Sequence, residues 1–259
     1  MDERMSRRFL GGAALLFMIS AVITVYWGAS MAAMGDMSMP GGWSMSMMWM
    51  RMPGQSWLGT AVTFLGMWLV MMAAMMLPSF APTLWRYRQS VGTKRGVRLN
   101  WLMMLVTAGY FFVWTLLGLI VFLAGAGFAA VEMQSTALAQ SAPALAGLVV
   151  LGAGALQLTR WKAQRLAHCR GMPECGCRAV ANSASAWRYG LRMGLQCSYC
   201  CAGFTAVLLA IGVMDLRAMA AVTLAISLER LAPVGVRVAR AIGVAVIALG
   251  LAMILSVSS

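Results

Sequence analysis

The chain reads as an all-α, polytopic transmembrane helix bundle of about seven helices, six being the alternative count, with its N-terminus in the cytoplasm. Three observations predict this. First, of 259 residues 61% are hydrophobic and only 10% charged, with mean hydropathy +0.80, whereas roughly a quarter of a soluble domain is charged. Second, several windows of about 20 residues lack charge, the length that crosses a hydrocarbon core as a helix. Third, the basic residues collect on one side of those windows.

The apolar windows place helices near residues 9–29, 58–80, 101–128, 143–159, 194–214, 217–231 and 234–256. The first resembles a secretory signal, but its apolar run of roughly 19 residues exceeds the usual 7–15, so it is read as a retained anchor. The sixth is short and carries Glu229 and Arg230 at its inner end. It needs a very tight turn at "MDLR" (214–217), hence the alternative count of six.

With the N-terminus inside, Arg4, Arg7, Arg8, Arg86, Arg88, Lys94, Arg95 and Arg98 are cytoplasmic. So are Arg160, Lys162, Arg165, Arg170, Arg178, Arg188, Arg192, Arg230, Arg237 and Arg240. Only Arg51 and Arg217 fall outside. This is the positive-inside asymmetry, and it orients the chain. The net charge of +13 is therefore topological, and no nucleic-acid partner is expected. Residues 1–259 form a single membrane domain embedded in a lipid bilayer. It has an outer Met-rich loop (30–57), an inner basic loop (81–100) and an inner basic Cys/His loop (160–193).

The outer loop contains "MAAMGDMSMPGGWSMSMMWMRM" from Met31 to Met52, nine methionines in twenty-two residues. Thioether sulfur is a soft, uncharged ligand that suits Cu(I) and discriminates against Zn, Mg or Ca. Met37/Met39, Met45/Met47 and Met50/Met52 form Met-x-Met pairs with Met48 adjacent. On a Gly/Ser backbone such sulfurs can close around one ion, although methionine also serves as adaptable packing. The theme continues in "GMWLVMMAAMMLP" (66–78), where Met67, Met71 and Met75 are spaced by four, as are Met72 and Met76. Each set stacks along one helix face, either as core filler or as a ladder of exchangeable sites.

All six cysteines fall on or near the inner side. The cytosol is reducing, which favours metal or redox roles over structural disulfides. "HCRGMPECGC" (168–177) groups His168, Cys169, Cys175 and Cys177, and "CSYCC" (197–201) sets Cys197 one helical turn from Cys200 and Cys201. Thiolate is the ligand form, and nearby arginines favour it. Cys-x-Cys is not the usual zinc-ribbon spacing, whereas Cu(I) accepts two or three thiolates. A single histidine argues against bis-histidine haem and histidine-ligated copper catalysis, so an enzyme is not the favoured class. Glu229 beside Arg230 reads as a structural ion pair.

The segments "MMAAMMLPS" (71–79), "ALQLTRWKAQRLAHCR" (155–170), "GLQCSYCCAGF" (194–204) and "GVMDLRAMAAVTLAISLERLAP" (212–233) together resemble a known series of motifs. They are similar to those of a family of bacterial metal-binding integral membrane proteins that includes a copper chaperone of a polyphenol oxidase. The resemblance spans roughly residues 60–235. It implies a multi-helix membrane protein supplying copper, with Cys197, Cys200 and Cys201 as the matching cysteine cluster, Cys169 in the family's cysteine-arginine pair and Glu229 at its acidic position. Three positions depart from the pattern: Arg165 replaces a cysteine, Ala202 a tryptophan and Asp215 an asparagine. The first removes a thiol from any Cys169-centred site, unless Cys175 and Cys177 replace it.

The expectation is thus a multi-pass protein of the bacterial inner membrane that binds and transfers Cu(I). The outer methionines capture or release the ion, the helix ladder lines a route, and the inner cysteines hold it. The partner would be an exported or membrane-bound copper enzyme. Two alternatives remain at this level: a membrane thiol oxidoreductase cycling "CSYCC", and an accessory subunit of a larger membrane enzyme.

Overall fold

A computed structural model of the chain describes residues 2–33, 37–38, 44–45, 56–91, 96–171, 182–213, 215–232 and 234–258. Among these are eight helices: α1 (Asp2–Ala33), α2 (Trp57–Val91), α3 (Gly96–Gln134), α4 (Thr136–Leu158), α5 (Arg160–Gly171), α6 (Ser183–Ile211), α7 (Leu216–Leu231) and α8 (Gly235–Ser258). A two-residue antiparallel ladder, β1 (Met37–Ser38) with β2 (Ser44–Met45), sets Met37 opposite Met45. The class is all-α, as expected. In a bilayer every backbone polar group must be satisfied within its own segment, and the helix does that.

Six helices are long and apolar enough to cross a membrane, and α7 is not among them. Its 16 residues rise only about 24 Å, short of a hydrocarbon core of about 30 Å. Of the expected counts, about seven or six, six is the number of described helices with the length of a span, and α7 is the short segment that returns the chain from the end of α6 to the start of α8. The helices also run past their apolar windows. Residues 81–91 continue α2, residues 96–100 open α3, and "RWKAQRLAHCRG" forms α5.

The pairings follow from close contacts. α2 and α3 are antiparallel, joined by Phe64–Phe122 and Phe80–Tyr110 ring contacts at 5.3 and 4.4 Å and by Trp68 Nε1 donating to Trp114 O at 3.0 Å. α3 and α6 are parallel, with Gly190 against Val106 and Gly194 against Tyr110 and Val113. α4 and α8 are antiparallel along glycines. A Cβ on Gly154 would lie 2.8 Å from Ile247 N and 3.0 Å from Gly243 O, so only hydrogen fits there. Small residues of this kind let helix backbones approach closely in lipid.

The turn between α6 and α7 is as tight as the sequence requires. Gly212 adopts φ 131°, a region L side chains rarely enter, and its N–H bonds to Leu208 O. Asp215 then caps α7, accepting from Arg217 N at 2.8 Å and Ala218 N at 3.1 Å. Asparagine and aspartate cap about equally well, so this departure from the family pattern preserves the local geometry. α7 returns antiparallel to α6 and brings Glu229 and Arg230 to the level of the α6 cysteines.

Candidate metal centre

The centre is built on α6. Its cysteines are spaced i, i+3 and i+4, which places them on one helix face, and Cys197, Cys200 and Cys201 are 2%, 2% and 1% exposed. The helix extends back to Ser183, so they lie midway along it. They sit about one turn or two beyond the Arg188 and Arg192 band rather than at the helix start.

Four neighbouring helices aim side chains at this face. From α2, Met76 Sδ accepts from Cys197 Sγ at 3.8 Å. From α3, the Tyr110 hydroxyl lies 3.0 Å from Cys197 Sγ, with either atom able to donate. From α7, Arg230 Nη2 donates to Cys197 Sγ at 3.0 Å and Cys201 Sγ at 3.6 Å, while Nη1 donates to Ser79 Oγ at 3.3 Å. Arg230 Nε is buried with no hydrogen-bond partner. From α5, Cys169 Sγ donates to Gln196 O at 3.4 Å. The neighbouring Cys200 thiol and burial push the Cys169 thiol well above the usual range.

A second layer of charge lies behind Cys200. Lys162 and Glu229, only 3% and 2% exposed, form an ion pair at 3.0 Å. Lys162 Nζ also donates to Cys200 O at 2.6 Å and sits 5.0 Å from the Phe204 ring centroid. Gln157 Nε2 donates to the other carboxylate oxygen at 3.1 Å. The ion pair expected of Glu229 therefore exists, with a different partner. Lys162 from α5 takes the carboxylate, and this frees Arg230 to face the thiols.

Of the other expected site residues, Met67, Met71, Met72, Met75 and Met76 are all buried, at 6%, 1%, 0%, 2% and 1% exposure. They pack in one core with Phe64, Trp68 and Phe80. Only Met76 is hydrogen-bonded to a cysteine. Met37 and Met45 are register partners in the β1–β2 ladder. Met39, Met47, Met48, Met50, Met52, Cys175 and Cys177 lie outside the described residues. The Arg165 guanidinium lies 5.3 Å from both the Trp161 and Tyr199 ring centroids.

Sequence reasoning missed Tyr110, Lys162 and Arg230 as members of the site. Arg230 carried a signal, since an ionisable residue next to an apolar span is a functional pointer. Tyr110 carried none, because an aromatic in an apolar helix is ordinary. Among the described residues no three His, Cys, Asp or Glu side chains are grouped like a preformed metal site. The donors that do converge are soft sulfurs beside one arginine, a set suited to a monovalent soft ion rather than a hard divalent one.

No curated protein and no solved structure matches the chain. A family model described as PpoB2, copper chaperone, matches residues 65–253. That stretch begins after the Met-rich loop and takes in the α2 methionines, α5, the α6 cysteines and Arg230. Matched over most of its length, the chain belongs to the PpoB2 copper chaperone family.

Proposed function

We propose that this protein is a multi-pass protein of the bacterial inner membrane that binds Cu(I) at Cys197, Cys200 and Cys201, with Met76 beside them, and passes it to an exported or membrane-bound copper enzyme. The observation that carries this reading is the buried approach of Met76 Sδ, Tyr110 and Arg230 to the Cys197 thiol. Cu(I) with two of these cysteines as thiolates and the third as a neutral thiol is an anion of charge minus one. In a low-dielectric core that charge needs a fixed counter-cation. Arg230 supplies it, and the Lys162–Glu229 pair behind Cys200 is itself neutral.

In this reading the outer methionines (Met37, Met39, Met45, Met47, Met48, Met50 and Met52) collect or release the ion. Met67, Met71, Met72 and Met75 line the α2 path toward Met76, while Cys175 and Cys177 extend the inner thiol set. Thioethers hold Cu(I) more weakly than thiolates do, so the ion would rest at the cysteines. Orientation follows the distribution of basic residues.

The test is Cu(I) competition on the purified protein under reducing conditions. Wild type is compared with a Cys197→Ser/Cys200→Ser/Cys201→Ser variant and one with the loop methionines changed to Leu. About one ion or more per chain is expected, lost in the cysteine variant and reduced in the loop variant. Absence of copper above background from wild type would overturn the reading. A Cys197–Cys200 disulfide cycling in cells would then favour thiol oxidoreduction.

A further inference from the structure

The thiol cluster borders a small cavity of about 10 Å³, close to the least space that admits one water-sized species. Three sulfur-bearing residues line it: Cys169 from α5, and Met193 and Cys197 from α6. Met193 and Cys197 are four apart and so share one helix face. Met193 is 5% exposed and plays no part in the cluster above. The remaining polar wall is Ser79, Thr83, Tyr110 and Arg230.

The position of this cavity is informative. Met193 lies one turn before Cys197 on α6, and Thr83 lies one turn after Ser79 on α2, which runs the opposite way. Both steps lead in the same direction, away from Met67, Met71 and Met75. They lead toward α5 and the Arg-rich helix ends. On the other side of Cys197 the α2 methionines are closely packed, at 0% to 6% exposure.

We propose that the Cys169–Met193–Cys197 cavity is a three-sulfur transfer port, occupied only during exchange, through which Cu(I) enters or leaves the Cys197/Cys200/Cys201 cluster. The inference rests on the Cu(I) reading above. Cys169 is the transfer thiol, carried on a short helix at the edge of the core, and Met193 is the weak third ligand. Arg230 on the cavity wall repels a bare cation such as sodium or potassium. A thiolate-bound Cu(I) is electrically neutral and passes without that penalty.

The exchange is associative and involves no redox change. A Cu–Sγ bond forms to Cys169 as its thiol proton leaves to water, and one bond from copper to the donor ligand breaks. A Cu–Sγ bond to Cys197 then forms and the bond to Cys169 breaks, the proton released by Cys197 returning to Cys169. Copper remains monovalent throughout.

The test uses the full chain in detergent, anaerobic and reduced, loaded with Cu(I) and mixed with bicinchoninate in a stopped-flow instrument. Cys169→Ser and Met193→Leu are compared with wild type and with Met219→Leu, a buried methionine on α7 remote from the cavity. Leu matches Met in volume, so Met193→Leu removes the sulfur while keeping the packing, which an unchanged melting midpoint would verify. The expected result is wild-type copper stoichiometry in both cavity variants with transfer slowed by roughly tenfold or more, and a wild-type rate in Met219→Leu. Wild-type rates in both cavity variants, or equal slowing in Met219→Leu, would overturn the port while leaving the copper reading intact. A wild-type protein that binds no copper would overturn the copper reading itself and the port with it.

Discussion

The α4–α8 interface and the α2–α6–α7 interface solve the same problem by opposite means. Along α4 and α8 the chain uses glycine. A Cβ on Gly147 would lie 2.7 Å from Ile254 Cγ1, and one on Gly250 would lie 2.7 Å from Leu151 N. Contact there is backbone against backbone, held by dispersion. Around Cys197 the chain instead gathers a half-buried arginine, a buried tyrosine hydroxyl and three buried thiols, with a buried lysine–glutamate pair behind them. Burying charge is costly unless it is paired. The first interface demonstrates that this protein can pack helices without any of it. In the copper reading proposed above, the polar and sulfur content of the second answers to a ligand rather than to folding.

The sharpest way to break this contrast is to remove one charge from the second interface. Lys162→Met leaves Glu229 buried without its cation and should lower stability by about 3–5 kcal/mol, read as a fall in melting temperature in detergent. Lys162→Met with Glu229→Leu should recover most of that loss. If the double variant were as unstable as the single, the pair would be more than a cancelled charge.

Copper should act on the second interface only. At about 100 times its dissociation constant, Cu(I) should add about 2.7 kcal/mol to wild type. That shift should vanish in Cys197→Ser/Cys201→Ser and persist in a glycine-interface variant.

Gly154→Val serves as that variant. Its new side chain meets Ile247 N and Gly243 O, backbone atoms that cannot yield locally, so a cost of about 1–3 kcal/mol is expected with copper stoichiometry unchanged in the folded fraction. A copper loss in Gly154→Val would mean the two interfaces are coupled. The smallest effect belongs to Asp215→Asn, which should change the melting temperature hardly at all, because both residues cap α7 about equally well. Asp215→Ala should cost about 1 kcal/mol.

Much of the fold was legible because hydropathy and helix formation are local. A run of uncharged apolar residues forms a helix wherever it meets lipid, and "CSYCC" and the Met67/Met71/Met75 spacing could be read directly as single-face sulfur stripes. The helix ends were harder. Hydropathy falls at Arg86, Arg88 and Arg188, yet α2 and α6 continue through these residues, because long basic side chains can extend along a helix toward water. α7 was already the short segment in the sequence, and its 16 residues fall below the length of the other spans.

By itself the sequence determined the all-helical membrane class, the near-complete sidedness of its basic residues and the sulfur-rich character of α2 and α6. All three follow from composition and from periodicity along one segment. Only the tertiary structure decided that Glu229 pairs with Lys162, 67 positions earlier, rather than with its neighbour. It alone decided that Arg230 turns to Cys197, and that Tyr110, Met76 and Cys169 meet there. Adjacent residues on a helix point about 100° apart, so which of Glu229 and Arg230 faces the thiols depends on how α7 is rotated against α5 and α6. That rotation is set by packing between helices, which no local pattern in the chain records.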